Sequence, residues 1–368
     1  MPGPDFHFPW SALLSGGALL EAAAMVSGFI GLLFLGSMLL PGRRVTGPEV
    51  EGQSTTYKLN GLALFLATVI VACLAQVSGW FSLSVLHTHF AALFVVTNVF
   101  AFALSGWLYW GRARPRDASP GPWWQGFFFG VELNPAWFGV DLKLFSYRPS
   151  LIGLVLLNAS FAVVQYDTYG ELTLAMVLYQ VFTFLYVLNY FQFEHGMIYT
   201  WDLGSERFGW MLIWGDYVLV PFFYCIAGWW LIHPSESLSP VAVTATVLLF
   251  VLGFWLFRGA NEQKHRFKRD PGIRIWGQPA QSLDGRLLVS GFWGIGRHLN
   301  YTGEICIYLA FTLTTGFASW VPYLLPAWLA GLLWHRSRRD ERRCHAKYGE
   351  LWGRYTQRVR FSMLPFVY

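Results

Sequence analysis

Charged side chains are scarce in this sequence. Only 13% of its 368 residues are Asp, Glu, Lys or Arg, whereas 55% are hydrophobic and 18% are aromatic. Because a soluble domain carries about 25% charged residues, these charges are too few to cover a globular surface of this length. The composition also excludes a disordered chain, a coiled coil and a disulfide-rich scaffold. It predicts a polytopic membrane protein with little mass outside the bilayer.

Paired cysteines and the common nucleotide-binding motifs are missing as well. No two of the four cysteines are close enough in sequence to form a CxxC motif, so no metal site is expected. A GxGxxG motif begins at Gly294, but Leu299 occupies the position of its third glycine. There is no Walker A loop, no HExxH and no GxSxG. A Rossmann domain, a P-loop ATPase, a zincin and an α/β-hydrolase are therefore disfavoured, and any nucleotide has to be bound in another way.

Long apolar runs predict transmembrane helices, because a bilayer core about 30 Å thick needs about 20 helical residues. Uncharged runs cover residues 22–42, 59–111, 149–166, 172–193 and 237–257. A further run, 208–235, contains the single acid Asp216. Residues 305–335 are predicted to form a helical hairpin. The run 59–111 is long enough for two helices. Strands in lipid would have to alternate in polarity and close into a barrel, and these runs do not alternate. We expect an all-α fold, with eight or nine membrane helices counted from hydropathy.

Basic residues are concentrated in the last third of the chain. Residues 258–368 contain 17 Lys/Arg and seven Asp/Glu, a net charge of +10, whereas residues 1–257 carry −5. Such a basic part is typical of a cytoplasmic membrane face, and it also suits a phosphorylated ligand. Nucleic acid is not expected as a partner, because apolar segments interrupt the basic ones, and no obligatory protein partner is evident. We expect a membrane body in residues 1–257 and a ligand-binding part in residues 258–368.

Polar side chains form clusters between the apolar runs of this basic part. Lys264 and Lys268 are four residues apart, so on a helix they share one face and can bind a phosphate. Residues 291–304 combine aromatic, cationic, amide and acidic side chains at a membrane boundary, which is typical of a functional site. In residues 335–349, Asp340 lies among cations that it can order. A solvated helix end or an interfacial anchor would explain each cluster taken alone.

Several segments together resemble the integral-membrane sterol reductase family. His335–Gly349 matches the family signature HRxxRDxxxCxxKYG at every specified position. The other segments are Arg258–Lys268, similar to FRGANxQK; Leu287–Glu304, similar to LLVSGxWGxxRHxNYxGD/E; Gly130–Pro135, similar to GxELNPR; Asp141–Pro149, similar to DLKxF…RP; and Thr200–Gly209, similar to TWD…RFG. Two positions depart from the family pattern, since Ala136 replaces the usual arginine and Leu299 the usual proline.

The resemblance implies a fold of about ten membrane helices, a multi-pass membrane location and a sterol substrate that enters from the lipid bilayer into a pocket contributed by residues 1–257. It implies NADPH as the cofactor, bound by the C-terminal half at the cytoplasmic face. The residues that the resemblance assigns to the cofactor are Lys264, Lys268, Leu288, Trp293, Asn300, Tyr301, Asp340, Cys344, His345, Ala346, Lys347, Tyr348 and Tyr355. Their types fit the role, because lysines bind phosphates as point charges and aromatic side chains can stack on a ring.

The family chemistry implies that a sterol double bond is reduced by adding a proton and a hydride. The proton adds to an alkene carbon, and hydride from C4 of NADPH then quenches the tertiary carbocation. This requires a general acid inside an apolar pocket, where burial raises the pKa of a carboxyl group. The candidate acids in or beside the membrane segments are Glu194, Asp202, Asp216 and Glu304, with Tyr217 and Tyr301 as further options. We expect Glu194 or Asp216 to be the catalytic donor, because ionisable residues within a membrane are functional by default.

The sequence leaves alternatives open for which double bond is reduced and for the class of enzyme. Residues 258–261 resemble the C14 reductases, which favours the C14=C15 bond, whereas residues 272–277 resemble the C7 branch. Reduction of C7=C8 or of a side-chain bond therefore stays open. Residues 297–304 also resemble an RHPxYxGE-like element of isoprenylcysteine-type membrane methyltransferases, which use S-adenosylmethionine. A transporter or a sterol-sensing protein would explain the membrane helices but not the C-terminal motifs.

Overall fold

Helices long enough to span a membrane recur along the protein, for which a computed structural model describes residues 15–49, 54–112, 122–233 and 237–364. Within these ranges six helices combine this length with high mean hydropathy: Gly16–Leu39, Phe90–Arg112, Leu142–Tyr169, Leu174–Gln192, Trp210–Leu231 and Pro240–Arg269. A shorter apolar helix, Gly61–Val77, comes from the same long uncharged run as Phe90–Arg112. That run therefore contains two long apolar helices as predicted, with the short helix Ser84–Thr88 between them. The helical membrane class is confirmed, whereas the count of about ten helices stays a prediction.

By internal contacts the chain forms two compact units, Met1–Pro234 and Ser235–Tyr368. The elements of the first unit are, in order, α1 (Gly16–Leu39), β1 (Arg43–Thr46), β2 (Thr56–Leu59), α2 (Gly61–Val77), α3 (Ser84–Thr88), α4 (Phe90–Gly106, followed by a π-helix, Trp107–Arg112), α5 (Trp123–Phe129), β3 (Ala136–Trp137), β4 (Val140–Asp141), α6 (Leu142–Tyr169), α7 (Leu174–Gln192), α8 (Glu194–Met197), α9 (Trp201–Gly204), α10 (Trp210–Trp214, followed by a π-helix, Gly215–Leu219), α11 (Val220–Phe223) and α12 (Ile226–Leu231). The functional division predicted at residue 258 stays a prediction.

Helix α6 forms much of the core of the first unit. Its N-terminus is capped by Asp141, whose Oδ1 accepts a hydrogen bond from the Leu144 N–H at 2.7 Å, and Gly170 ends it in the left-handed conformation. Against α6 pack side chains from α1, α2 and α7, and together they form an apolar cluster of Leu33, Leu64, Phe65, Phe145, Leu151, Ile152, Val155, Val187 and Phe191. This packing holds the polar first turns of α6 in place.

Short antiparallel hairpins, which the all-α prediction did not include, interrupt the helices. The described residues contain four two-stranded sheets, and the longest, β1–β2, pairs Arg43 with Leu59. The β3–β4 hairpin turns through Phe138 and Gly139, both with positive φ, and delivers the chain to the start of α6. Strands of two to four residues are too short to show an alternating pattern in the sequence.

The described part of the second unit begins with one long helix, continues through two small sheets and then forms a helical hairpin. Its elements are α13 (Pro240–Arg269), β5 (Arg274–Ile275), β6 (Gln278–Pro279), β7 (Ser282–Leu283), β8 (Leu287–Leu288), α14 (Phe292–Ile295), α15 (Leu299–Leu313), a 3-10 turn (Val321–Tyr323), α16 (Leu324–Tyr348) and α17 (Glu350–Arg358). Helices α15 and α16 form the hairpin predicted in residues 305–335. Helices α13 and α15 approach closely where two glycines meet, since a Cβ on Gly253 would lie 2.8 Å from the Gly303 carbonyl oxygen.

Candidate active site

A buried ion pair joins α6 to α8 in the first unit. Nη2 and Nε of Arg148 lie 3.0 and 3.1 Å from Oε1 of Glu194, and the two side chains are only 3% and 5% exposed. The guanidinium also donates to Ser37 Oγ at 2.7 Å and to the Lys58 carbonyl at 2.9 Å. The N–H of Gly61 donates to Glu194 Oε2 at 3.0 Å, and a Cβ on this glycine would collide with the carboxylate. N–H donors therefore occupy both carboxyl oxygens of Glu194.

The second predicted acid, Asp216, lies in the π-helix that follows α10, an irregularity common at functional sites. It is buried, and its carboxyl group is hydrogen-bonded to the hydroxyl of Ser146 on α6. The same hydroxyl lies 2.8 Å from the carbonyl oxygen of Lys143. The buried ammonium of Lys143 donates to the carbonyls of Leu203 at 3.1 Å and Glu206 at 2.7 Å. The first turns of α6 thus bring a serine to Asp216 and fix a lysine nearby.

Two polar side chains near these acids were not predicted from the sequence. Tyr190 interacts electrostatically with both predicted acids, and its buried hydroxyl has no hydrogen-bond partner among the described residues. Oδ2 of Asp141 is likewise buried without a partner in those ranges, and burial raises the pKa of Asp141 to about 6. Asp141 and Ser146 both lie within the family segment 141–149, so the sequence contained a signal for them, whereas Tyr190 lies in an apolar run where a hydroxyl is ordinary. Buried polar groups without partners are uncommon, so both Tyr190 and Asp141 are candidates for contact with a ligand.

The family motifs of the first unit pack against one another. The Phe208 N–H donates to the Glu132 carbonyl at 2.9 Å. Gly130, with a φ of +92°, lies so close to Gly209 that a Cβ on either glycine would meet the backbone of the other segment. The segments around Gly130 and Gly209, which are far apart in sequence, are therefore adjacent at the start of α10, the helix that leads to Asp216.

At one of the two positions that depart from the family pattern, a different arginine contacts the segment. Ala136 stands where the family usually has an arginine, and its carbonyl oxygen accepts a hydrogen bond from Nη1 of Arg112 at 2.5 Å. Nε of the same arginine lies 3.5 Å from Oε1 of Glu132. A guanidinium from the end of the α4 π-helix thus reaches the segment in which the usual arginine is missing.

In the second unit, Trp293 connects the predicted lysine cluster with α17. Nζ of Lys264 lies 4.4 Å from the centroid of the Trp293 ring, within the range of a cation–π contact. The indole N–H donates to the Ala260 carbonyl at 2.8 Å, and the Tyr355 hydroxyl donates to the Trp293 carbonyl at 3.3 Å. Leu288 belongs to the same buried apolar cluster as Trp293. Predicted residues from four separate elements are therefore brought together.

The first turn of α15 carries a second group of predicted residues. The Tyr301 hydroxyl donates to Oδ2 of Asp340 on α16 at 3.0 Å, and its ring stacks on His298 with the centroids 5.1 Å apart. Burial, together with nearby cations, lowers the pKa of His298 to about 3, so its ring is neutral. Nδ2 of Asn300 donates to Oδ1 of Asn261 at 3.2 Å. The sequence prediction missed His298 and Asn261, although both stand inside recognised motifs.

These residues fit a phosphorylated nucleotide. Nε2 of His298 and Oδ1 of Asn300 are buried without hydrogen-bond partners in the part of the chain that the structure describes, and the amide or hydroxyl groups of a ligand can satisfy them. Lys264 and Lys268 supply cations for phosphates, and Asp340 interacts electrostatically with Lys264. The set of donors and acceptors therefore suits a nicotinamide dinucleotide, although the individual contacts stay predictions.

The remaining predicted cofactor residues lie on α16. Cys344 and Tyr348 pack against the apolar cluster that contains Tyr355. The exposed members of the set on this helix are His345, Ala346 and Lys347. Among the residues that the structure describes, no group of three His, Cys, Asp or Glu side chains could hold a metal ion.

Two open apolar grooves lie on the surface of α4, and the second extends to the following π-helix and to α5. One, of about 620 Å³, is lined by Phe94, Val95, Asn98, Val99, Phe102 and Ala103. The other, of about 470 Å³, is lined by Phe102, Trp110, Trp123, Trp124, Phe127 and Phe128. None of the candidate acids lines either groove, so the position of the sterol pocket predicted for residues 1–257 stays open.

Comparison with known proteins confirms the resemblance seen in the motifs. Residues 17–368 match the Ergosterol biosynthesis ERG4/ERG24 family. A Delta(14)-sterol reductase from Methylotuvimicrobium alcaliphilum is 38% identical over 354 residues, which cover 93% of this chain and 83% of the relative. A Delta(14)-sterol reductase from Arabidopsis thaliana is 39% identical over 342 residues, covering 90% and 91%, and a 7-dehydrocholesterol reductase from Danio rerio is 35% identical over 340 residues, covering 86% and 71%. The chain therefore belongs to the ERG4/ERG24 family.

Proposed function

We propose that this protein reduces a carbon–carbon double bond in the ring system of a sterol, at C14=C15, with NADPH as the reductant. The observation that carries the proposal is the identity of 38–39% with two proteins named Delta(14)-sterol reductase over at least 90% of this chain. A relative named 7-dehydrocholesterol reductase is 35% identical, which makes C7=C8 the second candidate bond. The buried acids of the first unit and the polar cluster of the second supply the residue types that the reaction needs.

Asp216 is the proton donor that the contacts favour over Glu194. The oxygens of Glu194 are occupied by N–H donors from Arg148 and Gly61, an arrangement that suits a structural ion pair. Asp216 is buried, and its hydrogen-bond partner among the described residues is the hydroxyl of Ser146, a group that can accept a hydrogen bond as well as donate one. In the proposed reaction Asp216 gives its proton to one alkene carbon. NADPH, when bound, supplies the hydride for the neighbouring carbon.

Residues of the second unit are proposed to bind the cofactor. Lys264 and Lys268 attract its phosphates, and the ring of Trp293 positions the Lys264 ammonium through their cation–π contact. The unpartnered Oδ1 of Asn300 accepts a hydrogen bond from an amide or hydroxyl group of the dinucleotide, and Nε2 of His298 forms a hydrogen bond with another. The concentration of basic residues in 258–368 supports a cytoplasmic orientation for this unit.

A turnover assay with two sterols tests the proposal. The full-length protein in lipid nanodiscs is incubated with NADPH and either a C14-unsaturated or a C7-unsaturated sterol, and products are identified by mass spectrometry. We expect NADPH oxidation and a product saturated at C14–C15, with no reaction in heat-inactivated samples. If only the C7-unsaturated sterol gives a product, the bond that the protein reduces is C7=C8. Neither product, or methyl transfer from S-adenosylmethionine to a prenylated cysteine, would overturn it.

Removing either predicted phosphate-binding lysine should weaken cofactor binding. Lys264→Ala and Lys268→Ala are each expected to raise the Kd for NADPH about 10-fold, because a hydrogen bond to a charged group contributes about 1.5 kcal/mol or more. Titration of tryptophan fluorescence with NADPH measures the change. The matched control is Arg269→Ala, which removes the same charge from an exposed position at the end of the same helix. An equal loss of affinity in the control would show that net charge alone is responsible.

A further inference from the structure

The hydroxyl of Ser146 contacts two oxygen atoms but carries only one proton. Ser146 is fully buried, with 0% of its surface exposed. Its Oγ lies 2.8 Å from the carbonyl oxygen of Lys143 and is also hydrogen-bonded to Oδ2 of Asp216. A hydroxyl group donates one hydrogen bond and accepts up to two, and a carbonyl oxygen can only accept. If Ser146 donates to Lys143, the proton in its contact with the carboxyl group has to come from Asp216.

We propose that Asp216 is protonated in the resting protein and donates its proton to Ser146, which in turn donates to the Lys143 carbonyl. Ser146 is then a positioning residue for the catalytic acid. It holds the acidic proton on Oδ2, the carboxyl oxygen that faces α6. The inference deepens the proposed function, since it rests on Asp216 as the proton donor in sterol reduction.

The charged and titratable groups around Asp216 are compatible with this arrangement. Lys143 on α6 directs its ammonium to the carbonyls of Leu203 and Glu206. Within the described ranges, the structure shows no ion pair between Lys143 and Asp216. Electrostatically, the ammonium of Lys143 attracts a negative charge on Asp216, whereas Asp202 on α9 repels it. Tyr190 on α7 and the adjacent Tyr217 also interact with Asp216. An additional negative charge on Asp216 beside Asp202 would be repelled, and a neutral carboxyl group avoids that repulsion.

The same serine can stabilise the charge that Asp216 acquires during turnover. Turning the carboxyl O–H towards an alkene carbon breaks its hydrogen bond with Ser146. Once the proton has formed a C–H bond on the substrate, Asp216 is a carboxylate. The Ser146 hydroxyl then rotates from the Lys143 carbonyl to the carboxylate and donates to it, and a proton from water later restores the resting state. Both states of the acid therefore have a hydrogen-bond partner.

Infrared spectroscopy tests the position of the proton without requiring turnover. At neutral pH the protein should show a C=O stretching band of a buried protonated carboxyl group that disappears in Asp216→Asn and moves in Ser146→Ala. The matched control is Ser160→Ala on the same helix, because Ser160 is also fully buried and donates to a carbonyl three residues earlier, at 2.7 Å, with no acid among the described residues as a second partner. This variant should leave the band unchanged. A spectrum with no band that Asp216→Asn removes, or a band that Ser146→Ala leaves in place, would overturn the proposal.

Kinetics distinguish positioning of the acid from a general effect on folding. We expect Ser146→Ala to lower kcat about 10-fold with little change in KM for the sterol, and Ser146→Thr, which restores a hydroxyl, to recover most of the loss. Ser160→Ala should retain kcat. If the wild-type protein reduces no sterol, the proposed function fails while the infrared result still decides where the proton lies. If turnover needs Asp216 but neither kcat nor the band responds to Ser146→Ala, only the role of Ser146 fails.

Discussion

Replacing Asp216 with asparagine is expected to lower kcat for sterol reduction by at least about 100-fold while NADPH still binds. General acid catalysis contributes about 10²- to 10⁴-fold to a rate, and an amide cannot deliver the proton that the alkene needs. Asparagine has nearly the same shape, so the hydrogen bond with Ser146 and the surrounding packing are preserved. Product formation under saturating sterol and NADPH measures kcat, and fluorescence titration measures cofactor affinity in the same preparation.

The matched control for this variant is Asp167→Asn. Asp167 is an exposed acid near the C-terminal end of α6, so its replacement removes the same charge from the same fold without touching the buried site. It should retain full activity. Turnover by Asp216→Asn at a rate near that of the wild type would remove Asp216 from the role of donor. The next candidates would be the Tyr190 hydroxyl and Oδ2 of Asp141, which are buried without partners among the described residues.

Replacing Arg148 with methionine is expected to destabilise the protein by about 3–5 kcal/mol, because it leaves a buried carboxylate without its cation. The guanidinium makes two contacts with Glu194 and further hydrogen bonds with Ser37 and the Lys58 carbonyl. One side chain thus ties α6 to α8, to α1 and to the hairpin that leads into α2. The shift in the thermal unfolding midpoint of the purified protein in detergent measures the loss.

An exposed ion pair in the same protein provides the control for this prediction. Arg354 and Asp284 also form an ion pair, but their side chains are 57% and 53% exposed, so Arg354→Met should cost about 1 kcal/mol or less. The double variant Arg148→Met/Glu194→Leu should recover much of the stability lost in the single variant, because it leaves no unpaired charge in the interior. Equal destabilisation by Arg148→Met and Arg354→Met would contradict a structural role for the buried pair.

Hydropathy predicted the helices well because length and lack of charge are local properties of a segment. The run 59–111 contains the helices Gly61–Val77 and Phe90–Arg112, and the hairpin expected in 305–335 is present as α15 and α16. Prediction was weaker where short elements depend on tertiary contacts. Strands of two to four residues and the one-turn helices α8 and α9 are shorter than the windows in which periodicity can be recognised.

The two leading acids were equivalent in the sequence and differ in the structure. Glu194 and Asp216 were both selected because they are acids in or beside apolar runs. Glu194 meets Arg148, 46 residues earlier in the chain, whereas Asp216 meets Ser146, 70 residues earlier. Residues so far apart in the chain form no recognisable sequence motif. The sequence alone therefore could not show which acid is a structural carboxylate and which is a candidate proton donor.

The membrane class, the family and the basic character of the C-terminal third were determined by the sequence alone, because composition, uncharged runs and motifs are properties of consecutive residues. Only the tertiary structure decided which polar groups meet. It paired Arg148 with Glu194, placed Ser146 against Asp216 and set Lys264 over Trp293. The reason is that a buried charge or hydroxyl has to find a partner in three dimensions, and that partner is chosen by helix packing rather than by distance along the chain.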